Sequence, residues 1–422
     1  MKKRILVVGS GVIGLSTAHF AAQRDHEVTV IDRRSEDHEG CSYGNAGMVV
    51  PSHVVPLAAP GMVGLALRCL WNRESPFWIR PRLSLDLLSW GVRFLRAANK
   101  EHVERSAPLL RDLHLGSRAL FEELAAIPGN DFGLVKKGLL MLCRSEEALA
   151  EEAHMAEKAR RLGIPAEVLT PEAAAKLDPG ARMTIRGAVH FPKDCHLSPS
   201  RFMLGLRRQL ELRGARFVWD TEVLGWRIAK SSHGARRIEA VETGRGGFTA
   251  DEYVLAGGAW SAGIARQLGL RLPMQAGKGY SLTLKEPRRS PEICSILVEA
   301  RVAVTPLGGA LRFGGTMEIA GLDESINPAR VRGIVKAVPR FYPEFSIEDF
   351  EGIRPWCGLR PCSPDGLPYV GRARRFQNVS VAAGHAMLGL SLGPITGKLM
   401  AEVLSDERPS IDIALLDPDR YA

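Results

Sequence analysis

The opening 32 residues constrain this chain more than any other stretch. Arg4-Ile5-Leu6-Val7-Val8 is a short, mostly branched apolar run of the kind that makes a buried parallel strand. Gly9-Ser10-Gly11-Val12-Ile13-Gly14 follows at once. Residues 15–23 then read as a helix, with small Ser16, Ala18, Ala21 and Ala22 suited to close packing on a sheet. Residues 28–31 are a second strand, closed by Asp32. A strand, GxGxxG, a helix, a strand and an acid at this spacing predict a dinucleotide-binding unit. Gly9 makes the tight turn, Gly11 lets a pyrophosphate approach the backbone, and Gly14 lets helix and strand pack closely. The helix start offers free N–H groups to phosphate, and Asp32 can hold ribose hydroxyls. The motif by itself does not choose between a nicotinamide and a flavin dinucleotide.

The 422 residues have room for a large core and two domains. Lys and Arg outnumber Asp and Glu 56 to 47, a net charge of +9. The seven cysteines are scattered and none forms CxxC, so neither a disulfide framework nor a zinc site is expected. No metal-ligand spacing and no Ser-His-Asp arrangement stands out, which argues against a metal site and against hydrolysis. The first strand starts within a few residues of Met1, and charge interrupts every long apolar run. Neither a signal peptide nor a membrane span is expected, and a cytoplasmic protein is.

Residues 41–50, Cys41-Ser42-Tyr43-Gly44-Asn45-Ala46-Gly47-Met48-Val49-Val50, are too rich in glycine and small polar residues for a stable strand. Alone they would be a surface loop, but they follow the ribose-binding strand and can run along a long dinucleotide. Here the chain resembles the glycine oxidase and D-amino acid oxidase superfamily of FAD enzymes. The pattern SYGNAGMVVPSHVVPLAAPG is most similar to the bacterial D-amino acid dehydrogenases within it. The resemblance implies FAD as cofactor, with Ser42, Asn45, Ala46, Gly47 and Met48 passing the pyrophosphate and reaching the flavin ring. Arg33 joins the cofactor-side candidates, and His53 the substrate-side ones.

Residues 61–100 carry seven basic residues, Arg68, Arg73, Arg80, Arg82, Arg93, Arg96 and Lys100, against Glu74 and Asp86. Trp71, Phe77, Trp78, Trp90 and Phe94 are interleaved. Two readings stand: a membrane-surface patch, with arginines on headgroups and tryptophans at the interface, or amphipathic helices covering the core with snorkelling arginines. Nucleic acid is disfavoured because no binding module accompanies the charge.

Further along, the resemblance implies a return to the cofactor. Val223 would give backbone contacts to adenine, and Ala256, Gly257, Gly258 and Trp260 form a second glycine turn after a strand. Tyr280, in a strand beside the flavin, is a candidate for touching substrate. Trp356-Cys357-Gly358-Leu359-Arg360-Pro361 and the Asp365-Gly366-Leu367-Pro368 that follows match the superfamily's GLRP…DG.P segment. There the arginine grips the substrate carboxylate, so Arg360 is the leading catalytic and substrate-binding candidate, with Gly358 beside the cofactor. Gly384, His385, Met387, Leu388 and Gly389 read as a turn into a helix whose free N–H groups face the flavin. Glycine oxidases carry a tyrosine near 300–304 and a second arginine at this helix opening. This chain has Arg301 to Val304 and Met387-Leu388 there, which argues against glycine specificity.

The expected fold is α/β: a Rossmann-like FAD-binding domain from 1–56, 194–275 and 355–422, with a discontinuous α+β substrate domain from 57–193 and 276–354 on a mixed, largely antiparallel sheet. The expected reaction is oxidative deamination of a D-amino acid, with D-proline or a hydroxyproline among the candidates, to the imine and 2-oxo acid. A quinone or other redox carrier would receive the electrons, with peripheral contact at the inner face of the membrane through 61–100. The alternatives are an oxygen-using glycine/sarcosine-type amine oxidase, or the flavoprotein subunit of a larger dehydrogenase or tRNA-modifying assembly.

Overall fold

The structure is a computed structural model that describes residues 1–62, 64, 74–229 and 236–422. Arg68, Trp71 and Arg73 of the basic stretch lie outside the described residues.

The opening run sits in the middle of a sheet that has six strands among the described residues. Arg4–Val8 pairs in parallel with Glu27–Ile31 on one side and Glu252–Leu255 on the other, with Val8 level with Ile31 and Leu255. Arg216–Val218 extends one edge. Val379–Ala383, followed by antiparallel Tyr369–Arg372, extends the other. All five parallel strands therefore end on the same side, and the turns after Val8, Ile31, Leu255 and Ala383 share one rim. Ligands of open α/β sheets bind at that carboxyl edge.

The helices Val12–Ala22 and Gly393–Leu404 cover one face in mutual contact. A Cβ on Gly397 would lie 2.4 Å from the Ser16 carbonyl carbon, so the pair meets backbone to backbone. Their apolar residues share one core with the opening strand. The other face is covered by a three-stranded sheet of Val223–Ile228, Ile238–Thr243 and Gly246–Phe248 and by the Ser261–Gln267 helix.

Among the described residues the second large sheet has nine strands and is mostly antiparallel. At its centre the long strands Gln275–Lys285 and Ala310–Ile319 pair, with Trp356–Cys362 on the far side of the former. Side-chain alternation gives this sheet two different faces. Tyr280, Leu282, Leu284, Val304 and Phe313 point into a core closed by the Pro328–Phe341 helix. Ser281 and Arg312 point the other way, to the loop after the second strand: Ser281 Oγ donates to Gly44 O at 3.0 Å.

Two elements cross the expected domain division. The Lys100–Ala125 helix, expected in the substrate part, packs Leu110, Leu113 and Phe121 into the core of the first sheet. Trp356–Cys362, expected in the nucleotide part, is hydrogen-bonded into the second sheet. The structure also corrects the helix expected directly after Gly384. Gly384 and Ala386 take positive φ, +82° and +48°, and only a 3-10 turn, Ala386–Leu388, forms there. The helix begins at Gly393, with Pro394 in its first turn, where a missing N–H costs nothing.

Candidate active site

A long cleft follows the shared rim. At one end, Asp32 is pinned beside the first glycine turn. Its Oδ2 accepts from Ser10 N at 2.8 Å and Ser10 Oγ at 2.7 Å, and its Oδ1 accepts from Arg34 N at 3.0 Å. Val223, Arg33 and Trp260 line the same end, with the Arg33 guanidinium 4.0 Å from the Trp260 ring centroid.

In the middle the two glycine turns touch. Gly9 has φ +112°, and a Cβ there would lie 2.5 Å from Ala256 O. Gly14 has no room for a side chain, because its Cβ would meet Gly9 O. At Gly11 the space is open: a Cβ would meet only Ser42 Oγ, at 3.7 Å. Val12 N, at the helix start, donates to that same hydroxyl at 3.0 Å. This is a cradle of backbone N–H groups at a helix N-terminus, and a side chain on Gly11 would fill it. A cleft lined by this cradle, by the acid Asp32 and by the arginine Arg360 fits a flavin dinucleotide.

At the far end stands Arg360, half-buried, on the strand paired to Gln275–Lys285. Gly279 leaves room for it, since a Cβ there would lie 2.1 Å from the guanidinium. Its Nη1 donates to Thr316 O at 2.6 Å. Thr316 sits at a register shift between the two central strands and has φ +70°, a strained value for a β-branched residue. Among the described residues no carboxylate lies within ion-pair reach of Arg360. Burial lowers its pKa; the Cys41 and Cys362 thiols act against that shift, and no carboxylate among the described residues does. A desolvated guanidinium without a counter-ion is a site that gains from an incoming carboxylate.

His385 lines the cleft near this end, is buried, and bonds Thr396 Oγ1 through Nε2 at 3.0 Å. Burial pushes its pKa down to about 3, so the ring is neutral. It is a structural neighbour of the cleft, not a fixed positive charge.

Of the candidate cofactor residues, Gly9, Gly11, Val12, Ile13, Asp32, Arg33, Ser42, Asn45, Val223, Ala256, Gly257, Gly258, Trp260, Gly358, Arg360, His385 and Gly389 line the cleft. Gly14, Ala46, Gly47, Met48, Gly384 and Leu388 stand behind that lining, and Met387 is exposed. Gly47 acts through its backbone: its O accepts from Leu197 N at 2.8 Å, anchoring the loop.

Tyr280 corrects the expectation of a substrate contact. It has the wrong parity in its strand and faces the core, where its hydroxyl donates to Glu318 Oε2 at 2.6 Å. Glu318 in turn lies 3.9 Å from buried Lys278, which pairs with Asp323. His53 also stands apart from the cleft lining. It sits in a turn where Ser52 Oγ lies 3.0 Å from its Nδ1 and donates to buried Asp194 at 2.5 Å. Burial lowers the His53 pKa to about 4 and raises that of Asp194 to about 7.

Sequence reasoning missed Arg312. Its Nη1 donates to Tyr43 O at 3.0 Å and Asn45 O at 2.8 Å, and its Nε to Thr283 Oγ1 at 3.0 Å. One guanidinium thus clamps the loop that passes the cleft. The available signal was a single charge in the otherwise uncharged run Ala310-Leu311-Arg312-Phe313-Gly314-Gly315.

Residues 4–403 match the family model described as DAO, FAD dependent oxidoreductase. The chain is 32% identical over 428 residues to a D-amino acid dehydrogenase of Bradyrhizobium diazoefficiens, covering 99% of each. It is 33% identical to one of Azorhizobium caulinodans, covering 99% of this chain and all of that one. The glycine oxidase structure from Geobacillus kaustophilus superimposes with a TM-score of 0.78 at 26% identity, covering 100% and 99% of the two chains. An L-proline dehydrogenase from P. horikoshii, at 19% identity and TM-score 0.74, shares the fold.

Proposed function

The chain belongs to the DAO family of FAD-dependent oxidoreductases, and from that premise we propose that it oxidises a D-amino acid at its Cα–N bond and passes the electrons to a quinone. One observation carries the substrate class: Arg360, a half-buried guanidinium bonded to a single carbonyl and free of any carboxylate among the described residues, at the far end of the dinucleotide cleft. FAD supplies a two-electron acceptor for hydride from Cα. The amino acid carboxylate lies on Arg360, held by a two-pronged contact that fixes Cα against the cofactor. The Cα–H pair leaves as hydride and the amine loses a proton to water. The resulting imine would take up water and fall to a 2-oxo acid and ammonia, and the quinone would take the two electrons by way of bound FAD, with two protons, and leave as quinol. Gly9, Gly11, Val12, Asp32 and Ser42 hold the dinucleotide in this reading. The nucleotide part in this reading is 1–56, 194–275 and 355–422 and the substrate part 57–193 and 276–354, except that the Lys100–Ala125 helix packs on the first sheet and the Trp356–Cys362 strand pairs into the second.

The D-amino acid reading rests on the named relatives, and the acceptor reading on their being dehydrogenases. No helix among the described residues is long and apolar enough to cross a membrane. We place the enzyme at the inner membrane face by peripheral contact through 61–100. The test is a panel of D- and L-amino acids assayed with a redox dye and, separately, with an oxygen electrode. D-substrates are expected to reduce the dye with little oxygen uptake, while amines lacking a carboxylate react poorly. Oxygen uptake matching dye reduction would make it an oxidase; activity on L-isomers alone would overturn the stereochemistry.

A further inference from the structure

The Leu85–Ala97 helix has two apolar faces. Leu87, Trp90 and Phe94 turn inward onto a cluster that includes Met317, Cys362 and Ala386. Trp90 Nε1 donates to Cys362 O at 2.9 Å. Leu85, Leu88, Val92 and Leu95 turn outward and are 85%, 65%, 40% and 57% exposed, and Leu83, just before the helix, is fully exposed. At 100° per residue the four outward side chains span an arc of about 80°. A helix needs one apolar stripe to hold itself to a fold, and the outward one has no counterpart among the described residues.

Charge identifies the occupant. Between residues 80 and 100 there are five cations, Arg80, Arg82, Arg93, Arg96 and Lys100, and one acid, Asp86, which pairs with Arg266. Arg96 borders the stripe and Lys100 follows the helix; both are exposed, and neither has a carboxylate partner among the described residues. Two copies meeting at this face would set arginine against arginine. A 13-residue helix, about 20 Å long and about 10 Å wide, also offers far less than the roughly 800 Å² per partner of a stable interface. An apolar ridge rimmed by cations fits an anionic lipid surface, with leucines in the acyl boundary and cations at the phosphates.

We propose that the outward face of the Leu85–Ala97 helix docks the protein on an anionic bilayer. This deepens the acceptor part of the reading above and rests on it only for its purpose. The helix's inner face packs on Cys362 and Ala386, immediately beside the cleft lining of Pro361, His385 and Ala386, so docking brings the cleft to the surface where a membrane quinone resides.

The experiment is co-sedimentation of the FAD-loaded enzyme with phosphatidylcholine vesicles made with and without phosphatidylglycerol. Wild type is expected to sediment only with phosphatidylglycerol present, and to be released by salt. Leu88→Asp with Leu95→Asp should abolish binding while leaving flavin content and dye-linked activity unchanged, since both side chains are in solvent. Arg96→Gln and Lys100→Gln should each weaken it about fivefold. No binding to phosphatidylglycerol vesicles at low salt, equal binding by the double variant, or a dimer abolished by the same substitutions would overturn the proposal. Dye-linked assays in the same lipid-free samples keep the two readings apart: inactivity on every amino acid with intact docking sinks the catalytic reading alone.

Discussion

Arg360 is the residue on which the chemistry turns. Arg360→Lys keeps the charge and loses the fork, so the carboxylate binds poorly and Cα is misaligned. Arg360→Ala should cost about 3 kcal/mol or more in kcat/KM, the scale for truncating one partner of a buried charge pair. An amine without a carboxylate should lose almost nothing further in the Ala variant. Near-normal kcat/KM for the amino acid in a fully flavinated Arg360→Ala enzyme would move carboxylate binding elsewhere. Tyr280 behaves in the opposite way. Tyr280→Phe strands Glu318 without its donor, so urea denaturation should register a loss of about 1–3 kcal/mol, with kcat/KM little changed. The two residues also differ in how they could be read. Arg360 was legible because its neighbours matched a pattern tied to a role. Tyr280 was misread because one position of parity in a strand decides between cleft and core, and nothing local in Gly279-Tyr280-Ser281 sets that parity.

Among elements, the 41–50 loop is held from outside itself. Arg312 binds two of its carbonyls, and Val50 N donates to Ser391 Oγ at 3.0 Å. Arg312→Gln should therefore leave the sheet folded and weaken FAD retention about tenfold, the worth of one to two lost hydrogen bonds, as read by flavin release on dilution. The helix pair is less forgiving. Gly397→Ala places a methyl on the Ser16 backbone and should lower stability by about 1–3 kcal/mol in thermal melting, with flavin lost as the turn at Gly11 shifts. The first strand, the glycine turn and the first helix were legible because their signals are local. Arg312 was not, since its two partners in the loop, Tyr43 and Asn45, are 269 and 267 positions away. The late start of the last helix, at Gly393, was also missed, although Pro394 marked it.

For the whole molecule, acid is the expected weakness. Burial lowers the pKa of His19, His53 and His196 from 6.5 to about 4, and of His114 and His385 to about 3. The unfolded chain therefore binds protons that the fold refuses, and stability falls as pH drops from about 6.5 towards 3. Asp194 acts with the opposite sign. Its folded pKa is raised to about 7, so the stability it contributes is present below about 3.8 and lost as pH rises through 7. Burial also raises Glu152 to about 7 and raises Asp178, so three carboxyls oppose the five histidines; the histidines outnumber them, and the melting temperature should decline below pH 6.5 with early flavin release. A flat profile between pH 6.5 and 5 would mean that these rings are charged in the fold.

The placement of Arg4–Val8 has a consequence in time. Its neighbour Glu252–Leu255 is made some 250 residues later, and Val379–Ala383 later still. At roughly 5–20 residues per second of synthesis, the first strand waits about 12–50 seconds for one partner and longer for the sheet to close. Through that interval it is an apolar edge with open hydrogen bonds. The turn at Gly9 likewise lacks the opposing turn at Gly257 that completes the cradle. The chain is thus most open to wrong pairing while the ribosome is still reading it, and cofactor capture belongs to the last stage of its assembly.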